Sequence, residues 1–309
     1  MELPFLRWLQ TQMPTSAKIP LGIGDDAALL AQHTGQQTVV TTDMLMDGTD
    51  FLLHECGPLA AGRKALAVNL SDLAAMGAKP LAAFISIAVT ATKNDEALLL
   101  AQQLMQGLLP LATEFDCAIA GGDTNCWNSP LVISVTTIGE VATGKAWLRS
   151  GAKPGDAILV TGSFGGSLLG RHLTFTPRVR EALQLQSLGA KIHAAIDVSD
   201  GLSLDLSRIC AASNCGAILE LEHIPIHPAA HELASQSDSN QTSLAHALGD
   251  GEDFELILAV PPDEAKKLLR DQPLNVPLTQ IGRCTPEPGL QQQLPDGTII
   301  PLQPRGYEH

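Results

Sequence analysis

The sequence predicts an α/β fold (α+β in its mixed layering) of two domains, and three observations carry that expectation. Strand-like apolar runs alternate with helical stretches in both halves. A length of 309 residues favours two domains of ordinary size over one. The turn-rich segment LRSGAKPGD (148–156) leads straight into a fresh strand and marks the boundary, giving expected domains at 1–148 and 149–309.

In the first half, strands are expected at 38–45, 82–89, 116–122 and 131–141, with helices over 63–78 and 94–115. Gly77 and Pro80 stop the first helix. In the second half, strands are expected at 157–162, 194–199, 217–222, 254–260 and 278–283, and LPDGTII (294–300) carries an Asp-Gly hairpin signal. The polar stretch 231–247 reads either as an amphipathic surface helix with a loop or as a mobile cover.

Composition narrows the function. Hydrophobic residues make up 45% of the chain and aromatics only 4%, so the cores are packed from Ala, Leu, Val and Ile, as in soluble globular proteins. A net charge of −14 and a pI near 4.9 argue against a nucleic-acid or anionic-membrane partner, which needs a basic face. The same charge repels a nucleotide unless Mg²⁺ neutralises site and phosphates together. Cys56, Cys117, Cys126, Cys210, Cys215 and Cys284 form no CxxC pair, so reduced, mostly buried thiols in a cytoplasm are expected. The start MELPFLRWLQ has neither a basic leader region nor an unbroken apolar core, and no stretch reaches membrane-span length, so neither export nor anchoring is expected.

Five acidic motifs carry the chemistry: GIGDDAALL (22–30), TTDMLMDGTDF (41–51), NLSDLAAMGA (69–78), AGGDT (120–124) and AIDVSDGLSLDL (195–206). Each sets aspartate beside glycine, threonine or serine, the oxygen donors that hard divalent cations take. Each also has a plainer reading. Asp25 and Asp26 after Gly22 and Gly24 form a turn signal. Thr41, Thr42 and Asp43 at an expected strand end can cap the next turn, and Asp123 can mark an ordinary strand exit. Ser199 or Asp200 can cap the helix that follows, whose start would also offer free N–H groups to phosphate. Asp72 is the most discriminating, because Asn69, Ser71 and Asp72 interrupt an otherwise apolar helix and a buried carboxylate there needs a partner. Acids at so many expected element ends, in both halves, exceed what caps require.

Other chemistries lack their signatures. No GxxxxGK[ST] loop, kinase catalytic loop or GxSxG elbow occurs, and the glycines of VTGSFGGSLLG (160–170) fit a tight turn rather than GxGxxG. His223, His227 and His231 recur every four residues, but Pro225 and Pro228 break the helix that would align them on zinc.

Taken in order, GIGDDAAL, TTDML, KALAVNLSDLAAMGAKP, GGDT, RSGAKPGD, DVSDGL and GEDFEL resemble the thiamine-monophosphate kinase family, from about residue 20 to Tyr307. Its wider superfamily includes aminoimidazole ribonucleotide synthetase, selenophosphate synthetase and the hydrogenase-maturation dehydratase. The resemblance implies an N-terminal mixed sheet that pairs in a homodimer, and a C-terminal α/β sandwich that completes the active site. It implies transfer of the ATP γ-phosphoryl group to thiamine monophosphate, giving thiamine diphosphate and ADP. By matching position, Asp26, Thr41, Thr42, Asp43, Asp72, Asp123, Asp197 and Asp200 are implied as ligands of several Mg²⁺ ions. Gly122, Asp123, Arg149 and Ser199 are implied to meet ATP, and Asp50, Glu252 and Tyr307 the acceptor.

Two departures from the family pattern stand out. Asp50 occupies the place of a common histidine, and the segment between VTGSFGG and GRHLTFTPR (170–178) is short. Phosphoryl transfer needs positioning and charge neutralisation more than covalent help. The acceptor phosphate, with its second pKa of about 6, is largely ionised at neutral pH, so no general base is expected. Transition-state support is expected from Asp43, Asp123 and Arg149. Two rival readings are a synthetase or dehydratase of the same superfamily and a non-catalytic metal- or nucleotide-binding module. A start at MELPFLRW and an end at RGYEH lack the terminal cysteines expected of the selenide-using and maturation relatives.

Overall fold

The alternation in QQTVVTTDMLM is that of a strand with one covered face and one open face, and in a computed structural model of the chain it forms β1 (Gln36–Met46). Residues 8–9, 11–12, 33–90, 94–236, 241–294 and 296–307 are described. They divide into two compact units. One holds the described residues up to Leu73 with Ala78–Lys145, and the other holds Ala74–Gly77 and the residues from Ala146 onward.

In the first unit, β1 is joined by β2 (Lys79–Thr90), β3 (Ala118–Trp127) and β4 (Val132–Ala142) in the order β1-β4-β2-β3. The β1–β4 and β4–β2 pairs are antiparallel, while β2 and β3 run parallel. Parallel neighbours need a crossover, supplied by α2 (Asn94–Glu114). Between β1 and β2 lies α1 (Leu53–Ala75), broken at Gly57 so that Pro58 opens its long part. Gly77 ends the helix as expected, with φ of 64° in the left-handed region.

Along β1, Val39, Thr41, Asp43 and Leu45 are partly or fully covered, whereas Thr38, Val40, Thr42, Met44 and Met46 are exposed. Two expectations change here. Thr41–Asp43 and Asp123 were expected at strand ends, yet both strands continue past them. The cause is pairing: Met44–Met46 ladder with β4, and Thr124–Trp127 ladder with β2.

The second unit contains a seven-stranded sheet, formed by β5 (Ala157–Thr161), β6 (Ala194–Asp197), β7 (Gly216–Glu220), β8 (Leu256–Val260), β9 (Leu278–Thr285), β10 (Gly289–Gln293) and β11 (Ile299–Pro301). Its order is β11-β10-β7-β9-β5-β8-β6. The Asp-Gly signal is a hairpin between β10 and β11, closed by the Leu294 N–H donating to the Thr298 carbonyl at 2.8 Å. Strand β8 begins at Leu256 rather than 254, because Glu252 and Phe254 hold φ of 52°, which no ladder accommodates.

The helices of this unit are α3 (Arg171–Thr174), α4 (Val179–Ser187), α5 (Leu202–Ser213), α6 (Pro228–Ser235), α7 (Ser243–Gly249) and α8 (Pro262–Asp271). The sequence reading missed α4 and α8, which are short and mostly polar. Only Val179, Ala182 and Leu185 mark the inner stripe of α4. The polar stretch 231–247 resolves into parts of α6 and α7, with residues 237–240 outside the described set. All six cysteines are free thiols; four are buried, and Cys126 is exposed.

Two helices of the first unit meet through bare backbone. A Cβ on Gly62 of α1 would lie 2.0 Å from the Leu104 carbonyl oxygen, and one on Gly107 of α2 would lie 1.9 Å from that of Leu59. Neither contact has a flexible side chain that can yield. Replacing Gly62 or Gly107 with alanine is therefore expected to cost about 3 kcal/mol through overpacking, despite alanine's better helix propensity. Denaturant unfolding measures this, and a variant as stable as the parent would disprove the contact.

Candidate functional site

The acids of the first unit meet where β1 faces α1. Strand alternation turns Thr41 and Asp43 to the covered side, and Asp72 on α1 reaches them. The Thr41 hydroxyl donates to Asp72 Oδ2. Asp43 Oδ2 is enclosed and finds no hydrogen-bond donor among the described residues. Burial first, then the charge of Asp72, a hydrogen bond with it and the charge of Asp50, push the Asp43 carboxyl up to about 7. Asp50 itself is tied into the turn after β1: its Oδ2 accepts from Met46 N–H at 2.7 Å, and its carbonyl accepts from the fully buried Lys64 Nζ at 2.6 Å.

Asp43 and Asp72 set two carboxylates against each other, and the Asp43 Oδ2 has no hydrogen-bond donor among the described residues. With the adjacent threonine hydroxyl, the donors are all hard oxygens. That set fits Mg²⁺ and does not suit soft or thiolate-seeking metals.

Not every expected ligand joins this pair. Thr42 faces the open side, where its hydroxyl pairs with that of Thr136 at 2.9 Å. Asp43 sits opposite Val135, Val135 opposite Ile85, and Ile85 opposite Gly122, so β4 and β2 separate Asp43 from the Gly122–Asp123 pair. At the usual spacing of strands, that is about 14 Å. Asp123 is exposed, and its Oδ1 accepts from Thr124 N–H at 2.8 Å. Gly122 is fixed by its neighbour, since a Cβ there would lie 1.8 Å from the Ile85 carbonyl oxygen. Asp26 lies outside the described residues. Among the described residues, no three His, Cys, Asp or Glu side chains gather closely enough to hold a metal ion by themselves.

In the second unit, distant segments converge on the loop after β6. The Glu252 N–H donates to the Ser199 carbonyl at 2.7 Å, Phe254 N–H to Val198 at 2.8 Å, and Tyr307 N–H to Asp200 at 2.9 Å. A Cβ at Gly251 or Gly306 would lie 2.8 Å or 2.6 Å from the Asp200 carbonyl oxygen, so both glycines permit this close approach. Ser199, Asp200, Glu252 and Tyr307 thus form one cluster. Asp197 is buried at the end of β6. Arg149 is exposed, and its carbonyl accepts from Ser213 Oγ at 3.2 Å.

The capping expectation needs correction. Neither Ser199 nor Asp200 caps α5; Asp205 reaches back, accepting from the N–H groups of Asp200 at 2.9 Å and Gly201 at 3.0 Å. The Asp200 and Gly201 amides just before the helix are therefore already satisfied. Burial pushes the Asp205 carboxyl up to about 6, against the opposing pull of those amides and Arg208. Arg208 bridges Asp200 and Asp205, each at 2.5 Å. The sequence reading missed Asp205 and Arg208; the signal was a carboxylate four residues past Gly201, poised to turn back on the helix start. The glycine turn after β5 is committed in the same way, with Gly165 and Gly166 N–H groups donating to Asp253 at 2.9 Å and Asp250 at 2.8 Å.

The family model described as AIR synthase related protein, N-terminal domain, matches residues 24–141, and the corresponding C-terminal domain model matches 153–294. A thiamine-monophosphate kinase of Rhodopirellula baltica is 43% identical over 316 residues, covering all of this chain and 97% of the relative. The chain belongs to the thiamine-monophosphate kinase family. The thiamine-monophosphate kinase of Escherichia coli K12 is 38% identical, with 94% of this chain and 92% of that one covered. Among solved structures, thiamine-monophosphate kinase from Stenotrophomonas maltophilia K279a superposes with a TM-score of 0.80 at 35% identity, covering 96% of each chain. AaThiL, complexed with AMPPCP and TMP, gives a TM-score of 0.76 at 25% identity over all of this chain and 96% of that one. The family resemblance read from the motifs and the two-domain α/β fold are thus established. Among the described residues, no helix of this family member is long and apolar enough to cross a membrane.

The raised Asp43 carboxyl has a definite sign in metal-free protein. An unfolded aspartate releases its proton near pH 3.9, so at about pH 4 to 7 the folded state holds a proton that the unfolded state has lost. Asp43's contribution is present below that window and is lost as pH rises through it. Asp43→Asn removes the titration, so in chelator the variant should lose less stability than the parent between about pH 5 and about pH 8. Equal losses in denaturant unfolding would contradict the assigned burial.

Proposed function

We propose that this chain transfers the γ-phosphoryl group of ATP directly to thiamine monophosphate, giving thiamine diphosphate and ADP with Mg²⁺ assistance. The observation that carries the reading is the facing Asp43–Asp72 pair, in a chain whose named relatives are thiamine-monophosphate kinases. AaThiL was solved with AMPPCP, an ATP analogue, and TMP.

Magnesium bound by these acids would neutralise the phosphate oxygens and bridge nucleotide to protein. In the first unit, Asp43, Asp72 and Thr41 are the ligands best supported by geometry, and Asp26, Thr42, Asp123, Asp197 and Asp200 complete the proposed set. Gly122, Asp123, Arg149 and Ser199 are assigned to ATP, with Arg149 a cation able to grip two phosphate oxygens. Asp50, Glu252 and Tyr307 are assigned to the acceptor, where acids favour the thiazolium and the phenol ring offers a stacking face. Asp43, Asp123 and Arg149 support the transition state. No side chain is assigned as general base, because the acceptor phosphate is already ionised.

A homodimer fits two further features. The open face of β1 exposes Val40, Met44 and Met46, an apolar strip that a second copy would cover. The separation between Asp43 and Asp123 is also bridged if the two carboxylates of one site come from two chains. The working compartment is taken to be the cytoplasm, in keeping with six free thiols.

ADP release in the presence of thiamine monophosphate, set against thiamine and unrelated acceptors, tests the reaction. Asp43→Asn and Asp123→Asn are each expected to cut turnover by at least about 100-fold while unfolding behaviour shows the chain still folded. Near-normal turnover in both would overturn the ligand assignment, and equal rates with thiamine would overturn the acceptor. A chemically competent protein-bound phosphate in single turnover would refute direct transfer.

A further inference from the structure

Three consecutive residues of the loop before β8 are gripped one by one by the short segment 171–178. Arg171 is ion-paired with Asp253. The Phe175 ring stacks on Phe254, with centroids 4.1 Å apart and planes 13° from parallel. Arg178 makes a two-pronged contact with Glu255, its Nε donating to Oε2 at 2.6 Å and its Nη2 to Oε1.

Packing alone does not account for this. The Asp253 and Glu255 side chains are 1% and 4% exposed, and apolar residues of similar size fill buried space at less cost than ion pairs do. What the pairs supply is a fixed loop conformation. Glu252 and Phe254 both hold φ of 52°, which side-chain-bearing residues adopt only when their surroundings compel it. Further ties reinforce the grip: Gly165 N–H on Asp253 at 2.9 Å and the Thr161 hydroxyl on Glu255 at 2.7 Å. Glu252 stands just outside, its N–H bonded to the Ser199 carbonyl.

We propose that Arg171, Phe175 and Arg178 form a clasp whose role is to position Glu252 for the acceptor, so that this segment sets acceptor affinity. They are positioning residues, acting through Glu252. The inference rests on the assignment of Glu252 to the acceptor made above.

A kinetic double-mutant cycle on the full chain tests it, using Arg178→Lys, Phe175→Leu, Glu252→Gln and the paired combinations. Arg178→Lys keeps the charge but loses the fork, and Phe175→Leu keeps an apolar side chain but loses the stack. Each is expected to raise KM for thiamine monophosphate about tenfold, with kcat and KM for ATP within about twofold of the parent. In the Glu252→Gln background, neither should raise KM further, because the group they position is gone. Additive KM increases, or an unchanged KM in the folded single variants, would overturn the clasp while leaving Glu252's assignment intact. If Glu252→Gln alone leaves KM unchanged, the assignment fails and the clasp with it. Thermal unfolding of each variant separates these outcomes from loss of fold, and Phe175→Leu carries the test should Arg178→Lys fail to fold.

Discussion

Repulsion between two acids that the fold forces together is the constraint from which the site follows. Strand alternation turns Asp43 to the covered face of β1 and encloses its Oδ2, and α1 carries Asp72 to the same place. Burial, then the neighbouring acids Asp72 and Asp50, raise the Asp43 carboxyl. Two acids set this close oppose each other's ionisation, and a divalent ion held between them, as proposed, would relieve that opposition. The Thr41 hydroxyl hydrogen-bonds Asp72 but leaves the charge balance unaltered.

The second unit handles its acids in the opposite way. Asp200 and Asp205 share Arg208, Asp253 has Arg171, and Glu255 has Arg178. Backbone amides of Gly165, Gly166 and Gly201 are spent on carboxylates of the same unit. These acids hold loops in shape. The two populations of aspartate look alike along the chain, yet the second-unit acids face arginines while an Asp43 oxygen has no hydrogen-bond donor among the described residues.

That difference marks the limit of what was legible beforehand. Apolar periodicity revealed the strands and long helices because each buries a continuous stripe, and it missed α4, whose stripe is only Val179, Ala182 and Leu185. The importance of Asp72 was visible because a polar triplet interrupts an apolar helix. The mid-strand positions of Asp43 and Asp123 were not, since strand length depends on partners far along the chain. Nor could spacing show that Thr42 turns away from Asp43, or that Asp205 rather than Asp200 closes the helix start. The convergence of Ser199, Glu252 and Tyr307 is a product of sheet order, which local sequence does not encode.

The bare-backbone crossing of α1 and α2 has a mechanical consequence for Asp72. Where helices meet through side chains, a rotamer change can absorb a displacement of half an ångström or so. At Gly62 and Gly107 there is nothing to compress, so α1 is braced against α2 in the stretch that leads to Asp72. If Asp72 takes an ion as proposed, the helix that presents it would be held there by backbone on backbone rather than by side chains that can re-settle.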